Sequence, residues 1–231
     1  MLLLSQSAGF KFDRGAKTIY NPRPMRFFLD SAVLDEARKA RDWGLLDGVW
    51  VSPESAEKAA LDYRRAIRDL AALTDGPVCA ALSAGDAKGM YKEARELAKL
   101  GKDVVIQLPV YPEGMRVARL LAQDQVAVCA SGCYSAAQAL IAAKANVAYV
   151  APAVGPLDAV GSIGMDLVEQ VIRIYDNYGF QTQILVAQLR NPVHVLDAAL
   201  MGADVATIPP DVFEQLLRHP LTEEMLAGRK Q

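Results

Sequence analysis

Along most of the chain, short apolar runs alternate with longer stretches in which apolar residues recur at helical spacing and charges take the other side. The runs are Arg26–Asp30, Gly48–Ser52, Val78–Leu82, Asp103–Leu108, Val126–Ser131, Val147–Ala151, Gln183–Ala187 and Asp204–Ile208. Between them lie Asp35–Trp43, Ala56–Leu73, Ala87–Leu100, Gly114–Ala122, Ala136–Ala145, Leu167–Tyr178 and Val193–Met201. The runs predict strands and the periodic stretches predict helices. Strands separated by helices, with near-continuous apolar runs, predict a parallel sheet covered on both faces. Eight such units within 231 residues, with no linker and no second composition, predict one closed (β/α)8 barrel over residues 25–231. A doubly wound open sheet fits less well, because no G-x-G-x-x-G loop follows the first strand.

Met1 to Tyr20 carry no repeating apolar pattern, and Asn21-Pro22-Arg23-Pro24 is a turn-rich break. Residues 1–24 are therefore expected to be an extension outside the barrel. Leu2–Leu4 follow no basic segment and are too short a run for a leader peptide.

Composition narrows the partners. A formal charge of −2 provides no basic footprint for nucleic acid. The longest apolar runs are far short of a membrane span. Cys79, Cys129 and Cys133 are an odd set without metal-ligand spacing, so a disulfide framework and a metal are not expected and a reducing cytoplasm fits. No motif asks for a cofactor.

In such barrels the chemistry lies where strands end and βα loops begin. The residues expected at that mouth are Asp30, Ser52, Leu82, Gln107, Ser131, Ala153, Gln188 and Pro209, with their neighbours.

Several of these strand ends resemble one family. Phe27-Phe28-Leu29-Asp30-Ser31, Gly48-Val49-Trp50-Val51-Ser52-Pro53 and Asp103-Val104-Val105-Ile106-Gln107-Leu108-Pro109 are similar to strands one, two and four of small transaldolases and fructose-6-phosphate aldolases. Tyr134-Ser135-Ala136-Ala137-Gln138, Ala148-Tyr149-Val150-Ala151-Pro152, Arg190-Asn191-Pro192, Gly202–Pro209 and His219–Thr222 resemble later segments in the same order. The resemblance covers roughly Met25 to Thr222. It implies a barrel acting on carbohydrate, a sugar phosphate or other small anion as ligand, and a ring-like homo-oligomer.

The departures fall in the site. Where the family carries a Schiff-base lysine on strand four, this chain has Gln107, whose amide nitrogen is delocalised and cannot form an iminium. Ser52 replaces an asparagine, Ala81 a long polar residue, Ala153 an aromatic, and Pro156 an arginine associated with phosphate. Asp30 and a strand-five hydroxyl, Ser131 for threonine, remain.

Each candidate has two readings. Asp30 steers a proton or water, or caps the helix starting near Ala32. Gln107 binds a ligand hydroxyl, or fills the lysine's space and bonds to Asp30 or Ser131; without the lysine's charge, a buried Asp30 favours its protonated form. Ser131 binds a ligand, or an adjacent strand. Trp50 has inward parity and is expected to stack on a ligand or to plug the site over space freed by Ala81. Arg190 grips a phosphate with backbone amides around Gly161-Ser162-Ile163-Gly164, or is a surface arginine. Glu54 and Tyr111 sit in mouth loops. Lys102 precedes strand four and is expected at the opposite face. His194 and His219 are isolated and receive no role. Beyond Thr222 a short tail, Glu223–Gln231, is expected where relatives continue a helix. Two functions stay open: a transaldolase-like barrel without Schiff-base chemistry that binds a ligand or serves as a scaffold, and an enzyme with lysine-independent acid–base chemistry.

Overall fold

The computed structural model describes residues 24–229, so the expected extension over residues 1–24 falls, Pro24 apart, outside the described residues. Strand β1 (Arg26–Asp30) leads to α1 (Leu34–Asp42), and β2 (Gly48–Val51) to two helices, α2 (Pro53–Lys58) and α3 (Tyr63–Leu73). Strand β3 (Val78–Ala81) and helix α4 (Ala87–Leu97) follow, then β4 (Val104–Pro109) and α5 (Pro112–Gln123). Next come β5 (Val128–Cys133) and α6 (Ala136–Lys144), then β6 (Tyr149–Pro152) with α7 (Val154–Ala159) and α8 (Gly164–Tyr178). Strand β7 (Gln183–Val186) with α9 (Pro192–Met201), and β8 (Val205–Ile208) with α10 (Pro210–Leu216), complete the round before α11 (Pro220–Gly228). The strands close in chain order into a parallel eight-stranded barrel, β1 pairing with β8.

Period-two alternation divides the strand residues between two cores. Phe28, Trp50, Cys79, Val105, Cys129, Tyr149, Leu185 and Val205 fill the barrel interior. Their sequence neighbours, such as Leu29, Val49, Val51, Ala80 and Ile106, point outward against the helices. At the amino end of the barrel, the Arg26 guanidinium donates to Gln183 Oε1 at 2.7 Å and to the Tyr149 hydroxyl at 3.3 Å. The interior is thus a packed core, and open space is left toward the carboxyl ends.

Three element expectations need correction. The single helix expected over Ala56–Leu73 is two. Ser52 caps α2, Ala60 turns the chain at φ 53°, and Asp62 restarts it by accepting from the Arg65 amide at 2.7 Å. The stretch Ala87–Leu100 ends in a 3₁₀ turn at Ala98–Leu100. The C-terminal tail is helical from Pro220 to Gly228, with His219 Nδ1 accepting from the Leu221 amide at 3.3 Å.

Candidate functional site

A cavity of about 670 Å³ opens at the carboxyl ends of the strands. Asp30, Trp50, Ser52, Gln107, Ser131 and Gln188 all line it, and Ala81, Ala151, Ala153 and Ala187 form its low walls. Leu82 and Pro209 do not; the inward position of β3 is Ala81, and the wall beyond β8 is made by Pro210. Two backbone features shape the opening. Strand β5 shifts register between Ala130 and Cys133, with Gly132 at φ +60°, a conformation that glycine adopts without strain. Gln188 stands at φ +58°, a strained position of the kind found at binding sites.

Asp30 is mostly buried, and burial pushes its carboxyl up to about 6, partly offset by the nearby Lys58 ammonium. It is not a helix cap. Helix α1 begins two residues later than expected, and the local turn is held by Ser31. The Ser31 hydroxyl accepts from the Val33 amide at 3.0 Å and donates to the Glu36 carboxylate. Among the described residues no group hydrogen-bonds to the Asp30 carboxyl, which faces the cavity.

Gln107 does not reach Asp30 or Ser131. Its Nε2 donates to the carbonyls of Cys79 at 2.7 Å and Val51 at 3.3 Å. Two acceptors on one side fix which end of the amide is nitrogen, so Oε1 is the atom turned to the cavity. Ala81, its register neighbour on β3, is small enough for the amide to cross toward β2. Tyr63 ties the same strand ends from the outside, donating to the Ala81 carbonyl at 2.7 Å. The Ser131 hydroxyl makes no hydrogen bond among the described residues, while its backbone carbonyl accepts from the Val110 amide at 3.0 Å.

Trp50 lies inside the barrel, 9% exposed. Its β3 register neighbour is Cys79, with Ala81 two residues nearer the mouth, and Trp50 and Ala81 line the same cavity. It forms part of the cavity wall and does not plug it. Ser52 is a capping residue: its hydroxyl accepts from the Ser55 amide at 3.2 Å, and Ser55 Oγ accepts from the Ser52 amide at 3.0 Å.

Arg190 and Ser162 do not line the cavity. The expected anion cradle is already occupied: the Gly164 amide donates to Asp158 Oδ1 at 2.8 Å, and the Ser162 amide to the Leu157 carbonyl at 2.9 Å. Arg190 lies over Gly155, where any side chain would meet Arg190 Nε at 2.4 Å and the Gln188 carbonyl oxygen at 2.8 Å. His194 is not isolated; Nε2 sits 3.5 Å from Asp158, and Nδ1 accepts from the Arg190 amide at 3.4 Å. Tyr111 donates to the Gly85 carbonyl at 2.8 Å, away from the cavity. Lys102 lies in a separate hollow with Asp103 and Val104, at the amino ends of the strands. Burial pushes the Cys79 thiol up to about 12 and the Cys133 thiol up to about 11, so neither supplies a thiolate near neutral pH.

Lys58 and Glu36 were missed. Lys58 lines the cavity from the last turn of α2, one turn after Glu54, whose carboxyl is held below its usual value by its own backbone amide, then by the Ser52 hydroxyl and Lys58. The signal for Lys58 was present in Ser52-Pro53, an N-cap followed by proline at the first helical position, which marks a helix start.

The assembly is a (β/α)8 barrel whose polar mouth is built on β1, β2, β4 and β5 and the short helix after β2. The family model for transaldolase/fructose-6-phosphate aldolase matches residues 27–231. Probable transaldolases from Hydrogenobaculum sp. and Anaeromyxobacter sp. are 45% and 47% identical over 199 residues, covering 86% of this chain and 92% and 93% of theirs. A probable transaldolase from Methanococcus maripaludis is 44% identical over 199 residues, covering 86% of this chain and 93% of its own. The chain belongs to the transaldolase/fructose-6-phosphate aldolase family.

Proposed function

We propose that this barrel binds a small carbohydrate-like ligand at its mouth without capturing it as a Schiff base. The observation that carries the reading is Gln107. It stands where the resemblance puts the nucleophilic lysine, and its amide nitrogen is committed to two backbone carbonyls. None of the eight described strands contains a lysine. The scaffold alternative loses its main support, a plugged mouth, because the cavity remains open above Trp50. A second reading rests on Asp30: a desolvated carboxyl titrating near 6 is suited to exchange a proton with a bound ligand.

The ligand's charge is the weak point of the sugar-phosphate expectation, since Arg190 and Ser162 stand outside the cavity. Homo-oligomer formation is proposed from the outward apolar stripe of α9 (Val193, Leu196, Leu200) and from α11, whose Leu221, Met225 and Leu226 are exposed. A cytoplasmic setting is proposed from the three free cysteines.

Borohydride treatment in the presence of dihydroxyacetone or fructose 6-phosphate tests the central claim. The intact mass should not change. A reduced adduct on any lysine overturns the reading, and Lys58 is the position to inspect first.

A further inference from the structure

The hydrogen-bonding capacity of the cavity wall indicates which ligand it suits. Asp30 accepts hydrogen bonds when ionised and has no hydrogen-bond partner among the described residues. Gln107 spends its donors on the Val51 and Cys79 carbonyls and keeps its acceptor oxygen for the cavity. It reaches Val51 on β2, the strand that pairs with β1 and places Trp50 in register with Asp30. The inner wall therefore sets two unpartnered acceptors, the Asp30 carboxylate and Gln107 Oε1, beside groups that can donate: the Ser131 hydroxyl, the Trp50 indole N–H and the Gln188 amide.

The outer wall is acidic on balance. Its charged side chains are the carboxylates of Glu36 and Glu54 and the ammonium of Lys58. Lys58 stands one helical turn from Glu54 and helps keep that carboxyl ionised. Backbone amides around the mouth are engaged as well: Ser55 by Ser52, Gln138 by Ser135, and Tyr134 by Gln138 Oε1. A phosphate brings only acceptors and negative charge at neutral pH. Against Asp30 and Gln107 Oε1 it would lose water without gaining donors.

We propose that the mouth takes a small polyhydroxylated ligand carrying a protonated amine, the ammonium seated against Asp30 and Gln107 Oε1. The inference rests on the non-covalent reading of the site. An ammonium supplies three donors and one positive charge, which matches an unpaired carboxylate and a carbonyl oxygen. The hydroxyls find Ser131 and the rim.

Titration calorimetry of the full chain near neutral pH, with glucamine, sorbitol and sorbitol 6-phosphate as matched probes, tests it. Glucamine should bind at least about tenfold more tightly than sorbitol, and sorbitol 6-phosphate most weakly, since one charge-assisted contact is worth about a factor of ten or more. Asp30→Asn should remove the preference for glucamine while leaving sorbitol binding in place. Lys58→Ala, a change on an exposed rim residue, should maintain or tighten glucamine binding. Equal or tighter binding of the phosphate, no binding of glucamine, or loss of glucamine binding in Lys58→Ala overturns the proposal. The two readings fail separately. A phosphate-first ranking without any borohydride adduct sinks only the amine inference, whereas an adduct sinks the non-covalent reading whatever the ranking.

Discussion

Asp30 shows how one residue acquires a role from its surroundings. Its carboxyl titrates near 6 in the fold against an ordinary 3.8, with desolvation as the main cause. Lys58 and Glu54 on α2 and Glu36 on α1 are the charged groups that share its cavity. The folded state holds this proton more tightly than the unfolded chain does. The associated stability is therefore complete below about pH 3.8 and is lost as pH rises through about 6. The two values differ by about 2 pH units, equivalent to about 3 kcal/mol. Asp30→Asn should thus be more stable than the parent at about pH 8, by up to about 3 kcal/mol, and show no such gain at about pH 4. Chemical denaturation at the two pH values measures the difference. A gain that does not depend on pH would mean that the carboxyl is not the desolvated group described. Sequence alone raised the protonated form once the lysine was absent, but it left the helix-cap alternative standing. Ser31 performs the local turn bonding instead, and only the folded loop shows this.

At the scale of elements, α2 matters most. It is six residues long, too short to stand alone, and it carries two of the cavity's charged side chains. The reciprocal Ser52–Ser55 bonds hold its start. Ser52→Ala should cost roughly 1 kcal/mol, the usual worth of such a cap. Hydrogen exchange in Pro53–Lys58 should quicken while β2 stays protected. Uniform acceleration across both elements would show that α2 is not an independent local unit. The apolar spacing of Ala56, Ile67 and Leu70 runs through both α2 and α3, so the pattern predicts one helix where the fold has two. Periodicity reports which residues face the core; it is weak at locating a one-turn break such as Ala60.

At the scale of the molecule, the inner layer of the barrel supports the cavity from below. Trp50 is the largest side chain of the inner cluster and is packed beside Cys79. Trp50→Thr should lower stability by roughly 3–5 kcal/mol, as expected when a large buried aromatic is removed from a packed interior. A urea midpoint that falls with an unchanged slope would show this. An effect below about 1 kcal/mol would mean that the indole is a dispensable lining of the cavity rather than part of the core.

Eight apolar runs separated by amphipathic stretches already required a parallel sheet covered on both faces, because a backbone with no polar side must be enclosed. Short loops and the limit on enclosing so many strands then favoured closure. Strand parity likewise pointed Trp50 into the interior, since alternation is a property of the extended backbone itself, and the strand ends put Asp30 and Gln107 at the mouth. Hydrogen-bond partners were not legible in this way. Whether Gln107 turned to Asp30, to Ser131 or to the carbonyls of Cys79 and Val51 depended on which strands lay beside it and at what register. The placement of Arg190 and Ser162 outside the cavity, and of Lys58 inside it, depended on loop paths after β2, β6 and β7. Such paths are set by tertiary packing and carry no periodic signal. The frame of this protein is therefore written in local pattern, while the unpartnered Asp30 carboxyl and the Gln107 oxygen turned to the cavity arise only when distant strands and loops meet.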